Sequence, residues 1–169
     1  MDEALSPLEE FCRIMQRHGV EFVVIGGQAE TLHGSPRVTY DTDLCYRRSP
    51  ENLRRLEAAL AELHPRLRGA PADLPFRADA RTLEMGSNFT FETDLGPLDL
   101  LGHVEPLGDY EQVAAGAESY PLNGVETPTM SVRDLIRVKE HIKRVKDQES
   151  LAQLRAIQRV RDAQSGGAA

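Results

Sequence analysis

One stretch, Val20–Tyr46, constrains the fold of this chain more than any other, because it joins a strand pattern to two closely spaced carboxylates. The apolar, β-branched run Phe22–Ile25 predicts a buried strand that ends at Gly26 and Gly27, and residues 28–32 predict a short helix after it. Glycines allow a ligand to approach the backbone N–H groups at a helix start, where anions are favoured. The stretch therefore predicts a phosphate site directly after the first strand.

A second strand pattern, about Thr39–Arg47, carries Asp41 and Asp43. Side chains alternate between the two faces of a strand, so these carboxylates are expected on one face. They repel each other unless a cation lies between them. An Asp-x-Asp pair alone is more typical of a solvent-facing strand than of a metal site. Beside a phosphate site, however, the pair predicts the divalent-metal site that nucleotide chemistry uses.

Length and charge narrow the class of protein. A chain of 169 residues is long enough for one domain with a substantial core, and a net charge of -7 argues against a broad nucleic-acid-binding surface while leaving room for a local basic patch. No apolar run approaches the roughly 20 residues of a membrane span, and Met1–Ala4 lacks the basic region of a signal peptide. We therefore expect a cytoplasmic protein with no membrane partner.

The chain has two cysteines, Cys12 and Cys45, which are too few for a disulfide framework. Cys12 falls among the apolar positions of a predicted helix. Cys45 shares the predicted face of Asp41 and Asp43 and could line the same cleft, but core packing is the preferred interpretation because cysteine is usually buried. Both are expected to be free thiols.

Helix and strand patterns together predict an α/β (α+β) fold, with a mixed twisted sheet of about four to five strands flanked by helices and a C-terminal helical segment. Helices are predicted at 7–18, 28–32, 50–64, 110–117 and 131–146 and after Asp147, and strands at 21–25, 39–47, 88–93, from 98, and at 120–126. The Pro-rich residues 65–75 predict a loop that could contact a substrate. We expect a core at 1–128, a helical segment packed on it at 129–164 and a disordered tail at 165–169.

Two charged residues lie where apolar residues are expected. Asp99 stands in the otherwise apolar strand pattern Leu98–Leu101, where an acid is costly unless it is paired, hydrogen-bonded or bound to metal. Lys139 lies three residues from both Ile136 and Ile142, so it faces inward on its helix. Alternatively, Asp99 caps a neighbouring backbone, Lys139 snorkels from a buried face, and the glycine pair serves only a tight turn. Their combination with the paired aspartates favours a nucleotide site.

These residues resemble the nucleotidyltransferase superfamily, whose best-known fold member is DNA polymerase beta. The resemblance rests on Gly26-Gly27 closing a first strand, on Asp41-Thr42-Asp43 in a second strand and on Asp99 in a later one. Minimal members, including the AbiEii-type toxin nucleotidyltransferases, also carry a helix lysine and an Arg-x-Lys-Asp sequence, which Lys139 and Arg144–Asp147 match in order and spacing. The resemblance spans most of the chain, although its motifs are short.

The chain departs from many of these relatives in one motif. They carry Gly-Ser where this chain has Gly26-Gly27, and the serine hydroxyl helps to hold a phosphate. The double glycine also occurs in the superfamily, in transfer-RNA nucleotidyltransferases. It would leave phosphate binding to backbone N–H groups and basic side chains, with Thr31 as a candidate substitute.

The resemblance implies a Mg²⁺-dependent enzyme that moves a nucleoside monophosphate from a nucleoside triphosphate, such as ATP, to a hydroxyl acceptor. Asp41 and Asp43 would hold two Mg²⁺ ions, or Mn²⁺ in their place, and Asp99 would complete the site of the ion that activates the acceptor and accept its proton. The acceptor would be a protein, an RNA or a small molecule.

Nucleotide binding would fall to Gly26, Gly27, Lys139, Arg144 and Lys146. For Arg144 and Lys146 a solvated helix end is an equally good interpretation. The resemblance implies two roles, a toxin with an antitoxin partner or an antibiotic-modifying enzyme. The alternative is a catalytically degenerate module that acts through a partner protein or RNA, and the basic face of helix 131–146 is a candidate RNA surface. We interpret His33 as a turn or packing residue rather than a ligand.

Overall fold

A computed structural model describes residues 3–166 of the chain. Its helices are α1 (Pro7–Arg17), α2 (Gly26–Leu32), α3 (Pro50–Ala61), α4 (Ala80–Met85), α5 (Tyr110–Ala115), α6 (Val132–Ile142) and α7 (Gln148–Gly166), with a 3-10 turn at Val145–Asp147. Its strands are β1 (Phe22–Ile25), β2 (Thr42–Tyr46), β3 (Arg66–Leu67), β4 (Asn88–Thr93), β5 (Gly96–Leu101), β6 (His103–Val104), β7 (Gly108–Asp109), β8 (Glu118–Leu122) and β9 (Val125–Thr129).

Seven strands form one mixed sheet in the order β3-β4-β5-β2-β1-β9-β8, and β6 and β7 form a small separate pair. The hairpins β4–β5 and β8–β9 are antiparallel, β1 is antiparallel to β2, and β2 runs parallel to β5. The two strands that carry the predicted acids, β2 and β5, therefore lie side by side near the centre of the sheet, although they are far apart in sequence.

Serine caps set the starts of the long helices. The hydroxyls of Ser6, Ser49 and Ser131 each accept a hydrogen bond from the backbone N–H three residues on, and a proline opens α1 and α3. His18 caps the end of α1, and Gly19 follows with a φ of 72°. These boundaries confirm the helix starts that the sequence predicts.

The core lies around β1, all four residues of which are buried. The apolar stripe of α1 packs into it, and Cys12 and Cys45 are both buried free thiols as expected. Burial raises the pKa of each thiol to about 12, so neither is reactive at neutral pH. The face of β2 at Cys45 belongs to the core rather than to the cleft.

The sheet is larger than predicted because two short strands gave no clear signal in the sequence. β3 lies in the Pro-rich stretch 65–75 and takes its strand geometry from pairing with β4. β9 contains Pro128 and completes a hairpin with β8 across Asn123 and Gly124, both of which have positive φ. Strand β2 begins at Thr42, so Asp41 precedes it instead of lying within it as predicted.

The helix predicted at 131–146 ends early. α6 stops at Ile142, Lys143 adopts a left-handed conformation with a φ of 56°, and the 3-10 turn follows. Val145, which falls within the predicted helix, is therefore not packed on an apolar face, and its side chain is 88% exposed. The last helix begins directly after Asp147 as predicted, and the Asp147 carboxylate pairs with Lys139 and Arg144.

The C-terminal helix α7 continues through Gly166, so it includes the first two residues of the predicted tail; residues 167–169 lie outside the described residues. The predicted boundary between 128 and 129 falls inside β9, whose last residue pairs with β8. Among residues 3–166, no helix is both long enough and apolar enough to cross a membrane.

Candidate active site

Asp43 and Asp99 are direct neighbours across the parallel pair β2–β5. Their Cα atoms are register partners, so both side chains stand on one face of the sheet. The Oδ1 atom of each carboxylate is buried and has no hydrogen-bond partner within the described part of the chain. Buried carboxylate oxygens are normally paired, so Asp43 Oδ1 is available to a group from outside the chain.

The charges at this point of the sheet are unfavourable to one another. Burial, the adjacent Asp99 and the charge of Asp41 together raise the pKa of Asp43 to about 7, although the charge of Arg68 opposes the shift. Asp41 is exposed just before β2 and is close enough to exert this effect. Asp43 and Asp99 therefore lie side by side on β2 and β5, and Asp41 lies near them just before β2.

The residues present are suited to a hard divalent cation. Carboxylate oxygens are the ligands that Mg²⁺ prefers, and Mg²⁺ commonly takes only one or two protein carboxylates and completes its shell with water and phosphate. Among residues 3–166, no three His, Cys, Asp or Glu side chains already stand in a metal-holding arrangement. Asp43 and Asp99 would supply two of the ligands of such an ion, and the exposed carboxylate of Asp41 would have to turn toward them.

The glycine pair lies against these acids. Gly26 has a φ of 65°, and a Cβ atom there would overlap Asp43 Oδ2. A Cβ on Gly27 would stand 3.0 Å from Thr39 Oγ1. Gly26 is thus required both by its backbone conformation and by the approach of the Asp43 carboxylate, which is more than a tight turn demands. Thr31, the candidate substitute for a phosphate-binding serine, instead donates its hydroxyl to Gly27 O at 3.0 Å.

Lys139 faces inward, with its side chain 10% exposed, but it does not stand alone. Its Nζ lies 2.9 Å from Glu30 Oε1 on α2 and 3.2 Å from Asp147 Oδ1. Although burial opposes ionisation of Asp147, hydrogen bonds from Arg144 and Lys139 lower its pKa. Sequence reasoning missed Glu30. The signal that could have indicated a buried, paired acid was its place directly after Ala29 on a short helix.

The two other basic residues of the resemblance separate in the structure. Arg144 Nε pairs with Asp147 Oδ2 at 2.6 Å, and its side chain borders the same cavity as Lys139 and Asp43. Lys146 is exposed and borders a different hollow beside Arg37. The structure thus brings Lys139 and Arg144 to the acids and does not bring Lys146 there.

This cavity has a volume of about 290 Å³ and opens beside Asp43. Its walls are mainly apolar, and its polar edge is formed by Asp43, Glu105, Lys139 and Arg144. Its apolar lining residues are Ile25, Leu101, Val104, Met130, Leu135, Val138 and Ile142. A larger hollow of about 540 Å³ lies between α3 and Phe76, but Asp43 and the glycine pair do not border it. Size alone therefore does not identify the site.

A second residue that sequence reasoning missed is Arg68, which follows β3. Its Nη2 atom lies 2.9 Å from Asp99 Oδ1, an ion-pair distance without the alignment of a hydrogen bond. Its Nε donates to Glu92 Oε1 at 3.1 Å, and Nη2 donates to Phe91 O at 3.1 Å. Burial would lower the pKa of Arg68, but the charges of Asp99 and Glu92 raise it. The predicted loop 65–75 thus does reach the site.

His33 lies away from the acids. Its Nε2 donates to Met130 O at 2.7 Å, which leaves Nδ1 to accept from the Tyr120 hydroxyl at 3.0 Å. Burial lowers the pKa of His33, in agreement with a neutral ring. Its interpretation as a packing residue is confirmed.

Comparison with known proteins gives a match in fold and none in sequence. No protein-family model matches the chain, and no curated protein does. The fold is similar to TM1012 from Thermotoga maritima, a protein assigned as a nucleotidyltransferase, with a TM-score of 0.56 and 16% identity over 86% of this chain and 88% of that one. It is also similar to the lincosamide antibiotic adenylyltransferase LnuA in its lincomycin-bound structure, with a TM-score of 0.58 and 12% identity over 92% of this chain and 99% of that one.

The chain therefore has the nucleotidyltransferase fold. This agrees with the fold that the resemblance implies, and at these identities the comparison concerns the fold alone.

Proposed function

We propose that this protein is a Mg²⁺-dependent nucleotidyltransferase that moves a nucleoside monophosphate from a nucleoside triphosphate to a hydroxyl acceptor. One observation carries the proposal: Asp43 and Asp99 meet in register on one face of the sheet, each with a buried oxygen that lacks a hydrogen-bond partner in the described chain. Two such carboxylates are costly to a protein that never binds a cation.

The acids of this site would have separate roles. Asp41 and Asp43 would hold the divalent ions, and Asp99 would complete the site nearest the acceptor. Bound magnesium supplies neutralisation of the charge that develops on the attacking and leaving oxygens. Asp99 accepts the proton of the attacking hydroxyl. That oxygen forms a bond to the α-phosphorus as the bond to the bridging α–β oxygen breaks, and pyrophosphate leaves.

The apolar cavity supplies a place for the nucleoside. A volume of about 290 Å³ with mainly apolar walls suits a flat base, while Lys139 and Arg144 at its edge suit the phosphates. Gly26 and Asp43 both line this cavity, and Gly26 has no side chain to block the triphosphate. The triphosphate would thus lie along the polar edge, with its α-phosphorus toward the acids.

The first experiment measures transfer of label from each α-labelled nucleoside triphosphate, ATP included, with and without Mg²⁺. We expect transfer by the wild type, and none by the double variant Asp41→Ala/Asp43→Ala. Asp162→Asn is the matched control, because Asp162 is an exposed acid on α7. If the wild type neither binds a triphosphate with Mg²⁺ nor labels a protein, RNA or small-molecule acceptor, the proposal is wrong.

One observation favours a second candidate, a degenerate module that keeps the fold and acts through a protein or RNA partner. The charge of Lys139 is already balanced by Glu30 and Asp147, as expected for a structural ion pair. This candidate predicts triphosphate binding without transfer. The same labelling assay, combined with calorimetric titration of a nonhydrolysable triphosphate, separates the two.

The acceptor defines the biological role that we propose. LnuA is an adenylyltransferase of lincosamide antibiotics, so a small hydroxylated molecule is one class to test. The AbiEii-type resemblance adds a toxin–antitoxin role, in which the acceptor is a protein or RNA. Incubation with labelled triphosphate and a whole-cell extract, followed by nuclease or protease digestion, identifies the class. Loss of label after nuclease indicates RNA, and loss after protease indicates protein.

A further inference from the structure

We infer that Arg68 is a positioning residue, which holds the Asp99 carboxylate in the orientation used for the reaction. This role rests on the proposed function, and the contact between the two side chains is present without a substrate. Asp99 has a neighbouring acid on one side, Asp43, and a guanidinium on the other. Arg68 is thus the positive charge that the structure places against this pair of acids.

The guanidinium is held at several points. Glu92 Oε1 accepts from Nε at 3.1 Å, Phe91 O accepts from Nη2 at 3.1 Å, and Asp99 Oδ1 lies 2.9 Å from Nη2. Glu92 and Phe91 belong to β4, the strand paired with β5. Arg68 is therefore fixed to the same sheet as Asp99, and it cannot move away without losing these partners.

This anchoring determines which way the Asp99 carboxylate turns. Arg68 attracts Oδ1, so the other oxygen, Oδ2, is left for a cation or for the acceptor hydroxyl. A lysine at this position would keep the charge but could not contact all three partners, because it has one nitrogen instead of a planar fork. Comparing Arg68→Lys with Arg68→Ala thus separates the effect of the positive charge from the effect on the orientation of the Asp99 carboxylate.

The two effects of Arg68 on a divalent ion have opposite signs. Its charge repels the ion, and its contacts hold the carboxylate that the ion and the acceptor use. Removing the side chain is expected to tighten binding of the ion in the absence of nucleotide while slowing transfer. General structural damage would weaken both.

The test measures Mn²⁺ binding by electron paramagnetic resonance, without nucleotide, and the transfer reaction separately. For Arg68→Ala we expect Mn²⁺ to bind about threefold to tenfold more tightly, because a nearby like charge is gone. We expect kcat to fall about tenfold to a hundredfold, with the KM for the triphosphate within about twofold of wild type. Arg68→Lys should bind Mn²⁺ like the wild type and still lose kcat.

Arg66→Ala is the matched control, because it removes an exposed arginine two residues away on β3. Arg66 is the register partner of Glu92 in the β3–β4 pair. This substitution should change neither measurement by more than about twofold. A wild-type kcat in Arg68→Ala, or equal weakening of Mn²⁺ binding and kcat in Arg68→Ala and Arg68→Lys, would overturn the inference.

A cycle of thermal unfolding with Arg68→Ala, Asp99→Asn and the double variant tests the contact in the absence of any substrate. We expect non-additive effects on the free energy of unfolding. Coupling in this cycle without transfer activity in the wild type would reject the proposed enzyme and keep the contact. Additive effects would reject the Arg68–Asp99 contact itself, whatever the activity.

Discussion

Two groups of largely buried charges border one cavity in this protein and are organised in opposite ways. On β2 and β5, Asp43 and Asp99 face each other, and each keeps an oxygen without a hydrogen-bond partner in the described chain. Between α2 and α6, Lys139 contacts Glu30 and Asp147, and Arg144 completes the group. In the first group Arg68 stands beside a pair of acids and leaves an excess of negative charge, whereas in the second group Lys139 and Arg144 match Glu30 and Asp147.

This difference distinguishes a binding site from a structural ion-pair group, which we call the anchor. A balanced buried group holds elements together, and its loss is felt in stability. An unbalanced group lowers stability and persists where something else binds to it. Lys139 belongs to the anchor and borders the cavity, so it connects the two groups.

The largest effect is expected from a substitution that disrupts the unbalanced group. Asp43→Asn removes a metal ligand, so the rate of nucleotide transfer should fall on the order of 10³-fold, equivalent to about 4 kcal/mol of transition-state stabilisation. The same change removes repulsion with Asp99, so the metal-free protein should be at least as stable as the wild type. Transfer assays and urea unfolding in chelator measure the two effects. An active Asp43→Asn protein would show that Asp43 is not part of the chemistry.

The next largest effect is expected from a substitution that disrupts the balanced group. Lys139→Met removes the cation that Glu30 and Asp147 share. Because Arg37 and Arg144 still pair with these acids, we expect a loss of about 2 kcal/mol in the free energy of unfolding. Glu30→Gln combined with Lys139→Met should cost less than the sum of the two single variants. Urea unfolding checks both values. A loss below about 0.5 kcal/mol, typical of a surface pair, would mean that the group is not an anchor.

A smaller effect tests the contact between Gly26 and the acids. Gly26→Ala forces a side chain into left-handed backbone, at about 1–2 kcal/mol, and displaces the Asp43 carboxylate, which should slow transfer about 100-fold. Gly34→Ala is the matched control, because Gly34 also has positive φ but a Cβ there would meet no atom within 4 Å. Both variants should lose similar stability, and only Gly26→Ala should lose the activity. Equal activity losses would assign the effect to backbone strain.

The smallest effect is a difference in pH dependence between the two groups. The pKa of Asp43 is raised to about 7, so the folded protein binds a proton more readily than the unfolded chain does. Its stabilising contribution is present at low pH and is lost as the pH rises from about 4 to about 7. The pKa of Asp147 is lowered, so its contribution is present above the unfolded value near 4 and is lost as the pH falls further.

Urea unfolding at several pH values in chelator tests this difference. The decline between pH 5 and about 7 should disappear in Asp43→Asn, and Mg²⁺ should reduce it in the wild type. An unchanged decline in Asp43→Asn would assign it to another group.

Local patterns predicted one group of charges much better than the other. The buried run before Gly26, the spacing of Asp41 and Asp43 and the isolated Asp99 are all visible within a few residues of sequence. They predict a site because acids are uncommon in strands, and here they follow a buried strand that ends in two glycines. The pairing of β2 with β5, which brings Asp43 to Asp99, follows from the fold that the resemblance implies.

The balanced group could not be predicted in this way, because its members satisfy one another over long distances. Glu30 pairs with Arg37 a few residues on, but its other partners, Ser150 and Lys139, lie on α7 and α6. Nothing near Glu30 in the sequence indicates them. Arg68 is similar, because it follows a two-residue strand whose existence depends on β4. Lys146 was predicted from a motif, but the helix break at Lys143 directs it elsewhere.

The parallel pairing of β2 with β5 has a consequence for how the chain folds. These strands lie more than fifty residues apart, so their pairing closes a long loop and is expected to come late in folding. The same pairing forces Asp43 against Asp99, so repulsion between them opposes the late step. We expect a divalent cation to accelerate refolding of the wild type, and Asp43→Asn to refold quickly without one. Folding rate and catalytic competence would then depend on the same two carboxylates.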